Sequence, residues 1–333
     1  MILNDSPKKT ALSIVIPCYR SEKTIVSVVD ELRDELARNL PEKSYEIILV
    51  NDCSPDNVWD VIRNMCAQDN RIKGILFSRN FGQHAAMMAG YRYCNGEIIV
   101  SMDDDGQAPI ESVKALIDKI EEGYDVVFGK YRDIKQSGFR KFGSKVNILM
   151  SRTLLNQPKN IVGSSFFAMR NFIAQEMVRY ENPYPYLAGL MFRTTRNATN
   201  VEVVQRSRMD GKSGYSIFKL FSLWMNGFTA FSVKPLRIAS IIGVISAVVG
   251  LLWSFFTVIY KFLNPNVQIG YSSIMAVILF IGGLIMLMLG LIGEYIGRIY
   301  ICLNKSPQYV IREIIDEDPK QNNKVFDPVN TKL

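Results

Sequence analysis

The sequence predicts an α/β fold with a mostly parallel sheet, followed by long apolar helices near its C-terminal end. Short β-branched runs alternate with stretches of helical apolar spacing, and the connections between them are short. That is the pattern of a parallel sheet wound by right-handed crossovers. Two later runs, about 236–260 and 274–297, are almost uninterrupted apolar sequence over most of their length. Each meets the roughly 20 residues needed to cross about 30 Å of hydrocarbon.

Residues 12–17 (LSIVIP) form the first expected strand, stopped by proline, and 24–40 carry apolar positions at helical spacing. A second strand at 45–50 (YEIILV) ends in Asn51-Asp52-Cys53-Ser54-Pro55, a turn and N-cap cluster that opens a helix to about Asp69. Residues 72–77 give a third strand, 81–94 a third helix and 98–102 a fourth strand. A helix over 110–122 and a strand over 125–129 follow. The stretch 130–147 is basic, with Lys130, Arg132, Lys135, Arg140, Lys141 and Lys145. Read singly, these are a solvated helix face; as a cluster beside an acidic site they suggest phosphate. Strands are expected at 164–169 and 201–204, and 206–215 is a Gly-rich basic loop. No GxGxxG follows the first strand, so a dinucleotide-binding fingerprint is unsupported.

The chain is organised around 98–107, IIVSMDDDGQ. An apolar strand ending in three carboxylates delivers Asp103, Asp104 and Asp105 to the strand ends, where open α/β sheets place ligands. Strand alternation puts Asp103 and Asp105 on one side and Asp104 on the other, two oxygen donors for a hard divalent cation. A solvated acidic turn at a helix start is the competing reading of these residues alone.

Composition narrows the class. A chain of 333 residues has room for one large domain or two ordinary ones, and 48% hydrophobic residues is too apolar for a purely soluble protein of this size. A net charge of +7 suits a polyanionic partner without choosing among nucleic acid, anionic lipid and phosphorylated substrates. Five cysteines without a CxxC pair read as reduced thiols in the cytosol. The first residues lack an apolar h-region, so the N-terminal part is expected to stay cytosolic. Lys234 and Arg237 precede the first apolar run, and Arg298 and Lys305 follow the second. Both termini are therefore expected on the cytoplasmic side of a multi-pass inner-membrane protein. Residues 216–233, mixing Phe218, Phe221, Trp224 and Phe228 with Lys219, read as an interfacial helix.

The sequence carries VIPCYRSE at 15–22, LVNDCS at 49–54, SRNFGQHAAMMAG at 78–90, MDDDGQ at 102–107, FRKFGSK at 139–145 and GEYIGRIY at 293–300. Together these motifs resemble the family 2 glycosyltransferases of GT-A fold, and within them the polyprenyl-phosphate glycosyltransferases. That group holds dolichol-phosphate mannose synthase, the bactoprenol glucosyltransferases of O-antigen modification and the aminoarabinose transferase of lipid A modification. The resemblance implies a GT-A domain over 1–212, an interfacial amphipathic region over 213–234, two transmembrane helices within 235–300 and a cytoplasmic tail over 301–333. It implies inverting, metal-dependent transfer from a nucleotide-sugar, a UDP-sugar, to undecaprenyl phosphate at the cytoplasmic membrane face, for cell-envelope glycan modification. Lipid and donor would be its partners, with no nucleic acid, and the membrane hairpin could support a homotetramer as in some relatives.

Carried over to this sequence, Pro17, Tyr19, Glu22, Asp52, Arg79, Asp103 and Asp104 would bind the nucleotide-sugar, Asp52 accepting from the uracil imide. Asp103, Asp105 and Gln107 would hold Mg²⁺ or Mn²⁺. Arg206 or Arg208 would clamp the donor pyrophosphate, so that Asp103, Asp105 and these arginines form the catalytic set. Arg132, Arg140 and Ser144 would hold the lipid phosphate. Two departures bear on the acceptor and sugar pocket: Ser164-Ser165-Phe166 stands where Asp-x-Gly is usual, and Gly211-Lys212-Ser213-Gly214 displaces a lysine. His84, the single histidine, is read equally as structural or as a donor contact and is not assigned as catalytic. The rival activity is direct transfer to a glycolipid or polysaccharide; processive synthases of that kind usually carry QxxRW after the acidic motif, and the sequence has none. A catalytically dead membrane scaffold is the rival of another class, and the intact Asp103, Asp105 and Gln107 set argues against it.

Overall fold

The computed structural model describes residues 10–132, 158, 160–204, 206, 234–263, 270–304 and 306–316. They fall into two units, Met1–Ser216 with Pro307–Leu333, and Ile217–Ser306.

The first unit is built on an eight-stranded sheet. Its elements are β1 (Leu12–Cys18), α1 (Ile25–Asn39), β2 (Tyr45–Asn51), α2 (Val58–Gln68), β3 (Ile72–Phe77), α3 (Gln83–Arg92) and β4 (Ile98–Ser101). A 3₁₀ turn at Ile110–Ser112 leads into α4 (Val113–Glu121), then β5 (Val126–Tyr131), β6 (Phe167–Arg170), α5 (Asn171–Val178), α6 (Leu187–Thr194) and β7 (Ala198–Val203). The second unit supplies α7 (Lys234–Leu263) and α8 (Tyr271–Leu303), after which the chain returns to the sheet as β8 (Ile311–Ile315).

Strand order is β7-β5-β6-β4-β1-β2-β3-β8. Strands β1 to β4 are mutually parallel, and β5 is parallel to β7. Strand β6 runs antiparallel between β4 and β5, so β5 and β7 point the same way as β4. The sheet is thus mostly parallel but mixed. Strand β1 is buried along its whole length, as a central strand covered on both faces must be. Alternation sends Ile14 and Ile16 into a core with Leu32 and Leu36 of α1, Ile62 of α2 and Leu116 of α4. Val15 faces the opposite side, against α3. A Cβ on Gly90 would lie 2.3 Å from Val15 Cγ1, so α3 can approach the sheet this closely only with glycine there.

Three features differ from the sequence reading. Helices α5 and α6 lie between β6 and β7, where no element is evident from the pattern. Strand β5 runs on to Tyr131, so Lys130 is a strand residue, 3.8 Å from Glu202, and not part of a basic helix. The expected tail over 301–333 contains the last turn of α8 and the strand β8. Strand β8 pairs antiparallel with β3 and covers an edge whose unpaired N–H and C=O groups would otherwise face solvent.

A buried polar cluster ties β8 down. Lys73 of β3 lies 3.2 Å from Glu46 and 3.0 Å from Asp316, and Glu46 also accepts from the Ser13 hydroxyl and the Asn95 backbone N–H, each at 2.6 Å. On the strap that precedes β8, Tyr309 stacks on Phe77 at 5.3 Å, and Gln308 donates to the Tyr180 and Asn182 carbonyls.

Helices α7 and α8 cover the two apolar runs. Among the described residues one stretch, Phe280–Leu303 of 24 residues, is long and apolar enough to cross a membrane, and Ile241–Gly250 is a shorter apolar stretch. The interfacial region expected over 213–234 lies outside the described residues except for Lys234, the first residue of α7.

Candidate active site

The crevice forms at the C-terminal edge of the parallel strands between β1 and β4. From there the strand order runs out through β2 and β3 on one side and through β6, β5 and β7 on the other, the switch point at which such sheets bind ligands. The last rung between the two strands is Val15 with Ser101. Pro17 sits two residues past it, paired only with Val50 of β2, so its missing N–H costs the β4 ladder nothing. Past that rung the Met102 N–H donates to the Val15 carbonyl at 3.3 Å, and the acidic residues follow.

Asp103, Asp104 and Asp105 have distinct environments. The Asp103 carboxylate accepts from Gln83 Nε2 at 2.6 Å and from the Ser165 hydroxyl at 2.5 Å. It thereby links α3 to the loop entering β6. Asp104 turns to the β1–α1 loop, where its Oδ2 accepts the Tyr19 N–H at 2.9 Å and its carbonyl accepts the Thr24 hydroxyl at 2.8 Å. Burial pushes the Asp104 carboxyl up to about 6; the bonds from Tyr19 and Ser21 pull it down, and the Asp103 charge adds to the rise. Asp105 Oδ1 accepts the Gln107 N–H at 3.0 Å, fixing the turn through Gly106 at φ 72°. The Tyr131 phenol at the end of β5 feels burial first and then both the Asp103 and Asp105 charges, which push it up to about 12. Both the Asp103 and the Asp105 charge thus reach the Tyr131 phenol, while the Asp104 carboxylate is bonded to the β1–α1 loop.

Opposite them, the β2–α2 loop is held by its own polar side chains. Asp52, 4% exposed, accepts the Phe81 N–H at 2.7 Å on one oxygen and the Gly82 N–H at 2.8 Å on the other. Gly82 has φ 93°, a conformation that favours glycine and that aims its N–H at the carboxylate. Burial raises the Asp52 pKa, and the two backbone bonds only partly offset it. Glu22 braces the same region: its N–H donates to Asp56 at 3.0 Å and its carboxylate accepts the Asn57 N–H at 3.3 Å. Arg20 (φ 60°) and Cys53 (φ 49°) both adopt the left-handed region in these two loops. The Arg20 N–H reaches the Ser54 hydroxyl at 2.7 Å, which binds the loops together. Tyr19 is 43% exposed, and the Arg79 guanidinium lies 4.5 Å from the Phe81 ring centre.

Two of the basic candidates, Arg132 and Arg206, fall among the described residues. Arg132 is exposed and lies 3.5 Å from Glu202. The Arg206 guanidinium pairs with Glu31 of α1 and with Glu111 of the 3₁₀ turn. Its backbone N–H reaches the Gln107 carbonyl at 3.4 Å, and its carbonyl accepts from Gln107 Nε2 at 3.4 Å. Arg140, Ser144 and Arg208 lie outside the described residues. His84 is half-buried at the start of α3, with Nδ1 3.1 Å from the Pro185 carbonyl. A carbonyl only accepts, so Nδ1 carries the proton, and burial holds the pKa below the usual histidine value. That contact links α3 to the segment entering α6.

Sequence reasoning did not single out Gln83, Ser165, Tyr131, Glu31 or Glu111. Gln83 stood inside the NFGQH motif and Ser165 inside the departure at 164–166, so both carried a signal. The two glutamates are ordinary surface-helix residues in the sequence, and only the folded chain brings them to Arg206.

A mixed α/β sheet with clustered carboxylates and braced loops at its switch point defines a ligand-binding enzyme cleft. Residues 13–178 match the family described as glycosyl transferase family 2, and residues 234–299 match the segment described as the GtrB C-terminal hairpin. An uncharacterized glycosyltransferase, YkcC, of Bacillus subtilis (strain 168) is 34% identical over 304 residues, 90% of this chain and 93% of its own. The undecaprenyl-phosphate 4-deoxy-4-formamido-L-arabinose transferase of Yersinia pestis (strain Pestoides F) is 32% identical over 326 residues, 97% of this chain and 98% of its own. A mycobacterial protein of known structure aligns with a TM-score of 0.50 and 18% identity, over 67% of this chain and 75% of that one, which shows a shared fold. The chain belongs to the family 2 glycosyltransferases, and it carries the hairpin segment of the GtrB type.

Proposed function

We propose that this enzyme transfers a sugar, with inversion, from a UDP-sugar to undecaprenyl phosphate at the cytoplasmic face of the inner membrane. The lipid-linked sugar then serves modification of a cell-envelope glycan. One observation carries the reading: the carboxylates of Asp103 and Asp105 stand at the switch point in a chain similar to an undecaprenyl-phosphate sugar transferase over 97% of its length.

The nucleotide would lie along the β1–α1 and β2–α2 loops, framed by Pro17, Tyr19 and Glu22 and by the loop that Asp52 holds. Asp103 and Asp105 would hold Mg²⁺ or Mn²⁺ with Gln107. No group of three His, Cys, Asp or Glu residues is placed to hold a metal among the described residues. Two carboxylates on the loop that follows β4 nevertheless fit a hard cation that would complete its shell with substrate phosphates and water. Such an ion supplies charge neutralisation on the departing diphosphate. Gln83 and Ser165 orient Asp103, and the Asp105–Gln107 turn presents its carboxylate. A phosphate monoester is already anionic, so it attacks the anomeric carbon without a strong base on the protein. Arg132, Arg140 and Ser144 would hold it there. Helices α7 and α8 form the two-span hairpin in this reading, with both termini cytoplasmic and the catalytic unit beside the lipid surface.

The test is Asp105→Asn in the full-length protein, assayed with a panel of UDP-sugars and undecaprenyl phosphate and the lipid product identified by mass. Turnover should fall by at least about a hundredfold, the scale of losing one electrostatic stabiliser. Near-normal activity of this variant in chelator-treated buffer would remove the metal assignment. A product formed only on a glycolipid or polysaccharide acceptor would move the activity to the rival class.

A further inference from the structure

The resemblance offers Arg206 or Arg208 as the grip on the donor diphosphate, and the Arg206 guanidinium is engaged by two carboxylates of the protein itself. Glu31 comes from α1 and Glu111 from the 3₁₀ turn that follows the acidic loop. The side-chain relative exposures are 32% for Arg206, 35% for Glu31 and 52% for Glu111, so the cluster sits at the rim and not in the core. What it holds is the main chain. Arg206 N–H and C=O bracket Gln107 from both sides, through the Gln107 carbonyl and side-chain amide, and the Gln107 N–H in turn fixes Asp105 Oδ1. A continuous path of hydrogen bonds thus runs from the two glutamates through Arg206 to the Asp105 carboxylate.

We infer that Arg206 is a positioning residue: pinned by Glu31 and Glu111, it sets the backbone and amide of Gln107 and so the aim of the Asp105 carboxylate. This rests on the metal role proposed for Asp105. The guanidinium is a planar fork with five N–H donors, which lets it meet two carboxylates from separate elements at once. Groups behind a metal ligand that orient it affect metal affinity about 10- to 100-fold when removed. A diphosphate clamp makes the opposite demand on the two glutamates. They would compete with the diphosphate for Arg206, and neutralising them would tighten nucleotide binding.

The experiment uses the full chain in detergent, with UDP and Mn²⁺ as probes. Variants are Glu31→Gln/Glu111→Gln, Arg206→Ala, the triple combination and Arg206→Lys. Mn²⁺ affinity is measured by electron paramagnetic resonance at saturating UDP, UDP affinity by calorimetry at saturating Mn²⁺, and thermal unfolding by calorimetry alongside. The positioning role expects the double glutamine variant and Arg206→Ala each to weaken Mn²⁺ about tenfold or more. The triple variant should be no weaker than either, because all three changes break one path. Arg206→Lys, which keeps the charge and the backbone bonds, should recover part of the loss. Tighter UDP binding in the double glutamine variant, with weaker UDP binding in Arg206→Ala, would overturn the inference in favour of the clamp. Unchanged Mn²⁺ affinity in the double glutamine variant would also overturn it, as would a loss that only follows the unfolding temperature. Failure of the wild type to bind Mn²⁺ at all would overturn the metal reading itself, and this inference with it.

Discussion

Replacing Asp52 by Asn tests whether a buried carboxylate shapes the loop between β3 and α3. In the folded protein each of its oxygens accepts one backbone N–H, from Phe81 at 2.7 Å and from Gly82 at 2.8 Å. An amide of the same shape offers one acceptor against these two donors, so one N–H loses its partner and meets an NH₂ group. An orphaned buried donor costs about 1–3 kcal/mol. Burial has raised the Asp52 pKa, so the folded state holds this proton more tightly than the unfolded chain does. The ionised group therefore detracts from stability as pH rises above about 4, and Asn escapes that penalty. The deficit of Asp52→Asn should thus be smaller at pH 7 than at pH 4, and near the lower end of the range at pH 7. Asp52→Ala orphans both donors and should cost roughly twice as much. If the displaced loop must be restored on binding, the same 1–3 kcal/mol weakens UDP affinity about 5- to 150-fold. Thermal unfolding at the two pH values and calorimetric UDP titration measure both effects. A variant as stable as the wild type at both pH values, with unchanged UDP affinity, would refute the reasoning.

Lys73→Met should destabilise the first unit by about 3–5 kcal/mol, because it strands Glu46 and Asp316, with side chains only 7% and 4% exposed, without their cation. Burial alone would lower the Lys73 pKa, but Glu46 and Asp316 more than offset it and hold the ammonium above its usual value. Its stabilisation is therefore complete below about pH 10.4 and lost as pH rises past the folded-state value, so the gap between wild type and variant should narrow in alkali. A constant gap by chemical unfolding would contradict this. Arg140→Ala should raise the KM for undecaprenyl phosphate far more than that for the nucleotide-sugar; equal effects on both would take Arg140 out of the acceptor site. Ser165→Ala removes one of the two donors on Asp103 and should lower kcat while thermal stability changes by less than about 1.5 kcal/mol, the net value of one hydrogen bond. Unaltered kcat would show that Gln83 alone orients Asp103.

Much of the fold is legible in the sequence because its signals are local. β-branched runs such as LSIVIPC and YEIILVN are buried central strands, and the period-2 register that hides them also delivers 103–105 to the crevice. Long apolar runs need no partner to be recognised as helices, and α7 and α8 lie where they are. Tertiary structure alone decided what depends on residues far apart in sequence. IREII after a long apolar helix carries no sign that it will pair with β3 more than 230 residues earlier; an unpaired sheet edge supplies the reason. The opposite directions of β6 and β8 are likewise invisible in their short runs, since alternation is the same for parallel and antiparallel strands. Residue type marked Asp103 and Asp105 as candidates, and the family resemblance added Asp52. Their partners are set by strand order, which brings Ser165 to Asp103, the Phe81 and Gly82 amides to Asp52, and Glu31 and Glu111 to Arg206. Composition therefore named the charged groups, and the register of the sheet determined which partners each of them meets.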